Sequence, residues 1–204
     1  MCSTVRSVSQ LSLFSADSRP ARLADLAGLL CGPGRIARFG VGDQARLSVE
    51  LPDAARAPAV VAACAVVGIA AQPVVTESGA VSVRTAFRCD LVGLARSWTN
   101  GTAKSVPAEW QLDGATLRLW AMSAGWPDER GGYLLALDQD APQTHQALIA
   151  AATRAGIPPA RVGGGTALRI SGTRRVQRLV ELVGPVPPRL SGEHWPRYWG
   201  RHAS

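Results

Sequence analysis

The four cysteines, at positions 2, 31, 64 and 89, are the strongest nucleophiles in the chain, and their spacing excludes most uses of sulfur. No C-x-x-C pair occurs, and no histidine stands close enough to complete a zinc site. Cys31 and Cys64 lie among alanine, leucine and valine, where a free cysteine packs as a small hydrophobe. His145, His194 and His202 have no acid and nucleophile at a useful spacing, and His145 is expected on the solvated side of its helix. No serine occupies a G-x-S-x-G elbow. Gly163-Gly164-Gly165 lacks the lysine and hydroxyl of a phosphate loop, and Gly32-Pro33-Gly34 has no dinucleotide fingerprint around it. What remains is arginine, which supplies 21 of the 22 basic residues against 15 acidic ones, leaving a net charge of +7 and Lys104 as the only lysine. A guanidinium fork suits phosphate oxygens and guanine edges better than an ammonium does. GC-rich coding produces the same bias, so the charge alone does not establish a nucleic-acid partner.

The elements that position these arginines form an internal repeat. Residues 54–68 read as an Ala/Val-rich helix ending in Gly68-Ile69, and residues 142–156 repeat the pattern up to Gly156-Ile157. Alternating runs, residues 45–51 and 133–138, precede them as half-buried strands. Asp53 and Asp140 are candidate N-caps, and Pro142 suits a first helical turn. After each Gly-Ile comes a second strand pair: residues 73–76 and 81–85 about a Ser78-Gly79 turn, then residues 160–162 and 167–170 about three glycines. Short helices follow at residues 90–98 and 173–183, and apolar helices at residues 22–30 and 115–123 lead the two halves. The unit is αββαββα, used twice. Ferredoxin-like and ACT-like tandems begin each half on a strand, so a helix-first repeat argues against them. The expected organisation is an extension (residues 1–19), a first repeat (20–98), a linker (99–113), a second repeat (114–185) and a tail (186–204) whose Trp195, Tyr198 and Trp199 cover the domain or a partner.

Within the first leading helix, Leu26-Ala27-Gly28-Leu29-Leu30-Cys31-Gly32-Pro33-Gly34 resembles the LAGLIDADG motif of homing endonucleases, keeping its first four letters and its final glycine. Leu119-Trp120-Ala121-Met122-Ser123-Ala124-Gly125 holds the matching place in the second half. The resemblance extends over residues 20–185 and is closest to the LAGLIDADG-like region of WhiA-type sporulation regulators, through residues 106–109, 167–170 and 176–184 among others. It stops where such a regulator continues into a helix-turn-helix, which puts sequence-specific operator binding in doubt. The resemblance implies an α+β fold: tandem αββαββα repeats forming a pseudo-twofold saddle with antiparallel sheets. Ala27, Gly28, Ala121 and Ser123 would let the two motif helices approach. It also implies a carboxylate before each final glycine, holding divalent metal for phosphodiester hydrolysis. Those places hold Pro33 and Ala124, which neither ligate metal nor carry a proton. The nearest acids in the second half are Asp128 and Glu129, and the first half has none between Asp25 and Asp43.

In such a saddle the outer sheet faces lie over DNA, and strand alternation divides the side chains. Leu47, Val49, Leu51, Val81, Val83, Phe87, Leu168 and Ile170 are expected inward. Arg46, Arg84, Arg88 and Arg169 are expected outward, with Arg35, Arg38 and Arg161 joining them from the strand starts. Glu50 and Asp138 dilute the positive face. The expectation is a catalytically inactive double-stranded DNA-binding protein, monomeric, with neither metal nor cofactor. The alternatives are a structural or protein-interaction module and, third, a residual metal-dependent endonuclease. Residues 57–71, the most apolar stretch, fall short of the roughly 20 residues a membrane span needs, and the N-terminus lacks a signal-peptide core, so a cytoplasmic protein with no membrane partner is expected.

Overall fold

The computed structural model of the protein describes residues 15–76 and 79–197. Ten strands and six α-helices are formed among the described residues. The first half comprises α1 (Ala27–Cys31), β1 (Gly34–Phe39), β2 (Gln44–Leu51), α2 (Ala57–Val66), β3 (Ala71–Val75), β4 (Val81–Thr85) and α3 (Val92–Trp98). A small hairpin, β5 (Thr99–Asn100) and β6 (Ala103–Lys104), leads to the second half: α4 (Gly114–Ala124), β7 (Gly125–Pro127), β8 (Tyr133–Ala136), α5 (His145–Arg154), β9 (Ala160–Val162), β10 (Ala167–Ile170) and α6 (Thr173–Val183). Two four-stranded antiparallel sheets result, ordered β1-β2-β4-β3 and β7-β8-β10-β9. The connectivity of one sheet is that of the other, which is the structural form of the repeat.

The halves meet where α1 packs on α4. A methyl group on Gly28 would overlap the Thr116 carbonyl oxygen and stand 2.8 Å from Leu119 Cβ, and one on Gly32 would stand 2.8 Å from Ala124 Cβ. Both helices run almost directly into the first strand of their own sheet, at Gly34 and Gly125. A Cβ at Gly34 would strike the Leu29 carbonyl, and one at Gly125 the Tyr133 hydroxyl. Around this contact Leu26, Leu29, Leu30, Leu117, Trp120, Leu135 and Leu168 are wholly buried. Cys31 is buried too, its Sγ 3.4 Å from the Ala27 carbonyl oxygen, and burial pushes its thiol pKa well up. Cys64 inside α2 is likewise buried and its thiol is pushed to about 11, while Cys89 is exposed.

Several local expectations are corrected. The helix expected over residues 22–30 is a tight 3-10 turn, Leu23–Leu26, followed by a five-residue α1. Asp25 holds that turn closed by accepting from the Arg22 backbone N–H at 2.7 Å. Asp53 does cap, accepting from Ala55 N–H at 2.9 Å, but Asp140 does not: the Asp138 carboxylate accepts from Asp140 N–H instead, and the next turn begins at Pro142. His145 is buried, its Nε2 lying 2.7 Å from the Asp138 carbonyl oxygen. Between the two halves the β5–β6 hairpin turns at Gly101, φ +62. Trp195 is buried with its Nε1–H donating to Gly184 O at 2.9 Å, whereas Tyr198 and Trp199, like Cys2, Ser78 and His202, lie outside the described residues.

The N-terminal ends of the two motif helices share one cation. Arg19 donates to Asp25 at 2.6 and 2.9 Å and to Asp113 at 2.5 Å. Asp113 caps α4 by accepting from Thr116 N–H at 2.9 Å and Thr116 Oγ1–H at 2.6 Å. Partial burial pushes its pKa up, but the bonds from Thr116 and Arg19 more than offset this and hold it below the usual carboxylate range. The stability that Asp113 contributes is therefore present above about pH 4 and lost as pH falls through its folded value. Asp113→Asn should flatten the acid limb of stability measured by urea unfolding at stepped pH. In the same assay Gly28→Ala should cost about 1–3 kcal/mol through overpacking. Gly93→Ala, in the first turn of α3 with open space around it, should be neutral or stabilising by about 0.5–1 kcal/mol.

Candidate nucleic-acid interface

Residues directly opposite in an antiparallel ladder share a face, so the pairing register assigns every strand side chain. On the first sheet one row crosses all four strands: Arg35 opposite Ser48, Ser48 opposite Arg84, Arg84 opposite Gln72. Arg46, opposite Ala37, lies in the next row on that outer face, and Glu50, opposite Ser82, in the row on the other side. Leu47 and Val49 point the other way and are buried under the helices. Arg46 and Arg84 form no ion pair among the described residues. Arg84 Nε is buried without a hydrogen-bond partner among the described residues. Arg35 differs: its guanidinium pairs with Asp140 of the second half.

Three expected members fall elsewhere. Arg38 is opposite Ala45, which is fully buried, so Arg38 belongs to the helix-facing side at the end of the sheet. Arg88 also faces Ala45, and its guanidinium is held by Asp90 at 2.6 Å. The cause is an extra residue after β4: Ser48 is opposite Arg84 but Ala45 is opposite Arg88, so a bulge reverses the alternation. The same bulge brings Phe87, expected inward, to the outer face. There the Arg46 guanidinium lies 4.6 Å from its ring centroid and the Phe39 ring 5.0 Å away. Arg161 is opposite the buried Leu168 and faces α5, with Nη2 3.5 Å from His145 Nδ1.

On the second sheet the outer row is Trp126, Leu134, Arg169 and Ala160. Arg169 points outward but is tied down, paired with Asp128 and 3.3 and 3.4 Å from the carbonyls of Arg130 and Gly131. The two outer faces are thus unlike: the first carries unpaired guanidiniums, the second mostly apolar side chains.

Between the sheets a cleft of about 420 Å³ opens onto the ends of α1 and α4, lined by Pro33, Arg35, Glu50, Ala124, Trp126 and Asp138 among others. Each helix end is closed by a cation from elsewhere in the chain. Lys104 Nζ donates to Gly32 O at 2.6 Å and to Asp138 Oδ2 at 2.8 Å. Arg56 donates to Ala121 O, Met122 O and Gly125 O at 3.4, 2.9 and 2.6 Å. Helix C-termini present free carbonyls and partial negative charge, which suits a cation. Burial lowers the pKa of both Arg56 and Lys104, for Lys104 against the opposing pull of Asp138. Neither residue was singled out by sequence reasoning. Lys104 stands in the connector, and its status as the only lysine is the one local signal that marks it.

Among solved structures, the fold is similar to that of the homing endonuclease I-WcaI bound to its DNA recognition sequence, with a TM-score of 0.62 and 13% identity over 85% of each chain. It is similar also to the N-terminal LAGLIDADG domain of DUF199/WhiA, with a TM-score of 0.50 and 10% identity over 80% of each chain. No protein-family model matches the sequence, and no curated protein does. The chain has the LAGLIDADG fold. A divalent metal at the helix ends, which that fold implies, does not fit the residues present. Pro33 and Ala124 offer no ligand atom, Asp138 is held by Lys104 and Asp140 by Arg35. Among the described residues no group of three or more metal-ligating side chains converges. No helix among them is long and apolar enough to cross a membrane.

Lys104→Met leaves the Asp138 carboxylate buried without its cation, and should cost about 3–5 kcal/mol. Removing both charges in Lys104→Met/Asp138→Leu should recover most of the loss. A double-mutant cycle by urea unfolding measures both.

Proposed function

We propose that the protein is a catalytically inactive LAGLIDADG-fold DNA-binding protein, in a WhiA-like transcription-associated role, whose DNA face is the outer surface of the first sheet. The observation that carries this reading is the adjacency of Arg46 and Arg84 on that face, with no acidic partner among the described residues. A guanidinium not committed to a protein carboxylate retains its charge for phosphate and its fork for base edges. Arg35, at the cleft margin, and Arg169, on the second sheet, contribute less because carboxylates of the protein already compete for them. Inactivity is supported by Pro33 and Ala124 at the helix ends, and by protein cations that occupy the carbonyls and Asp138 there. The half-buried Trp126, Leu134 and Ala136 on the second outer face favour, as a second reading, a protein-interaction module.

Fluorescence anisotropy with a random-sequence duplex across a salt series tests the first reading. Affinity should fall steeply with salt. Arg46→Ala and Arg84→Ala should each weaken binding and make the salt slope shallower by about one. Arg161→Ala and Arg88→Ala, on the opposite side, should leave both unchanged. Absence of binding at low salt overturns the DNA reading and leaves the protein-interaction reading. Supercoiled plasmid incubated with Mg²⁺ or Mn²⁺ should remain unnicked.

A further inference from the structure

The outer face of the first sheet also holds a recess. Next to the bulge a pocket of about 440 Å³ opens between β2, β3 and β4, lined by Arg46, Arg84, Gln72, Val74 and Phe87 among others. Among the described residues no acidic side chain lines it. Two guanidiniums therefore meet an aromatic ring and an amide within a recess of the size that small-molecule sites use, about 300–1,000 Å³. The aromatic part is assembled in advance: Phe39 stacks at a tilt on Phe87, and Arg46 lies over Phe87. Phe39 itself is 61% exposed. Arg84 lines the same pocket and forms no ion pair among the described residues.

Each group has a counterpart in one ligand chemistry, a nucleobase with its adjoining phosphate. Bases stack on aromatic rings and on guanidinium planes, and do so only when they are not already stacked and paired in a duplex. A glutamine amide donates to and accepts from an adenine edge, and Arg84 is placed to answer the phosphate. Resting on the DNA reading above, we infer that this pocket receives an unpaired base of a DNA strand, so that the protein prefers DNA carrying an extrahelical base to a fully paired duplex. The second sheet has no corresponding pair of unpaired arginines beside an aromatic cluster among the described residues, so the site belongs to the first half alone.

The test is anisotropy at fixed salt with two labelled duplexes identical except for one unpaired adenine, read against the full chain and its variants. The bulged duplex should bind about tenfold tighter. Phe87→Ala should remove that preference, the two duplexes then binding the variant within twofold of each other, and Phe87→Trp should retain it. 2-Aminopurine at the unpaired position should change its fluorescence on binding to the wild type but not to Phe87→Ala. Equal affinity for both duplexes overturns this inference and leaves the DNA reading standing, whereas no binding to either overturns both. Deoxyadenosine monophosphate binding more tightly than the bulged duplex assigns the pocket to a free nucleotide and overturns its assignment to an unpaired base of a strand.

Discussion

The contact between α1 and α4 is the constraint from which the rest of the molecule is laid out. Gly28 sits so close to the Thr116 carbonyl that any side chain there displaces one helix from the other. Since each helix passes through a glycine directly into the first strand of its sheet, the helix separation sets the separation of the two sheets. Small residues at this interface therefore decide the width of the cleft and the spacing of the two outer faces. A packing constraint of a few ångströms is transmitted across the molecule because the interior is dense and does not absorb displacement.

Electrostatics reinforces the same pair of helices from both ends. At the N-terminal side the carboxylates of Asp25 and Asp113 take backbone N–H groups and are joined by Arg19; at the C-terminal side Lys104 and Arg56 take the free carbonyls. Each charge has the sign that a helix end favours. The two C-terminal cations also come from outside the helices they cap: Arg56 crosses from the first half to the second, and Lys104 reaches α1 from the connecting hairpin. The cleft floor, where the motif resemblance implies carboxylates, is instead an arrangement of protein cations on carbonyls. That change is structural in origin and chemical in effect, because the groups that would receive a metal are already occupied.

The repeat, the helix-first order and the sheet strands were legible because apolar periodicity and Gly-Ile helix ends are local signals. Pro33 and Ala124 were legible through position within a short word. Arg38 and Arg161 were placed by nearness to strand starts, whereas the unbroken pairing of β1 with β2 and of β9 with β10 turns both to the helix-facing side. Arg88 was misplaced because alternation holds only while the register is unbroken, and the bulge beyond Thr85 does not announce itself in residue type. Phe87 was lost for the same reason, and with it the aromatic group beside Arg46. Lys104, Arg56 and Arg19 were invisible for a different reason: a long cationic side chain serves a group distant in sequence, and only the assembled fold shows which.

The burial of Cys31 beside the helix contact and of Cys64 inside α2 gives the molecule an intrinsic gauge of its own opening. Thiolates, not thiols, react with disulfide reagents, and burial both shields these two sulfurs and suppresses their ionisation. Their modification must wait for the chain to expose them, whereas Cys89 is already at the surface. Thiol-labelling kinetics would then separate surface reaction from excursions that part α1 from its neighbours, reporting how often the two halves of the molecule let go of each other.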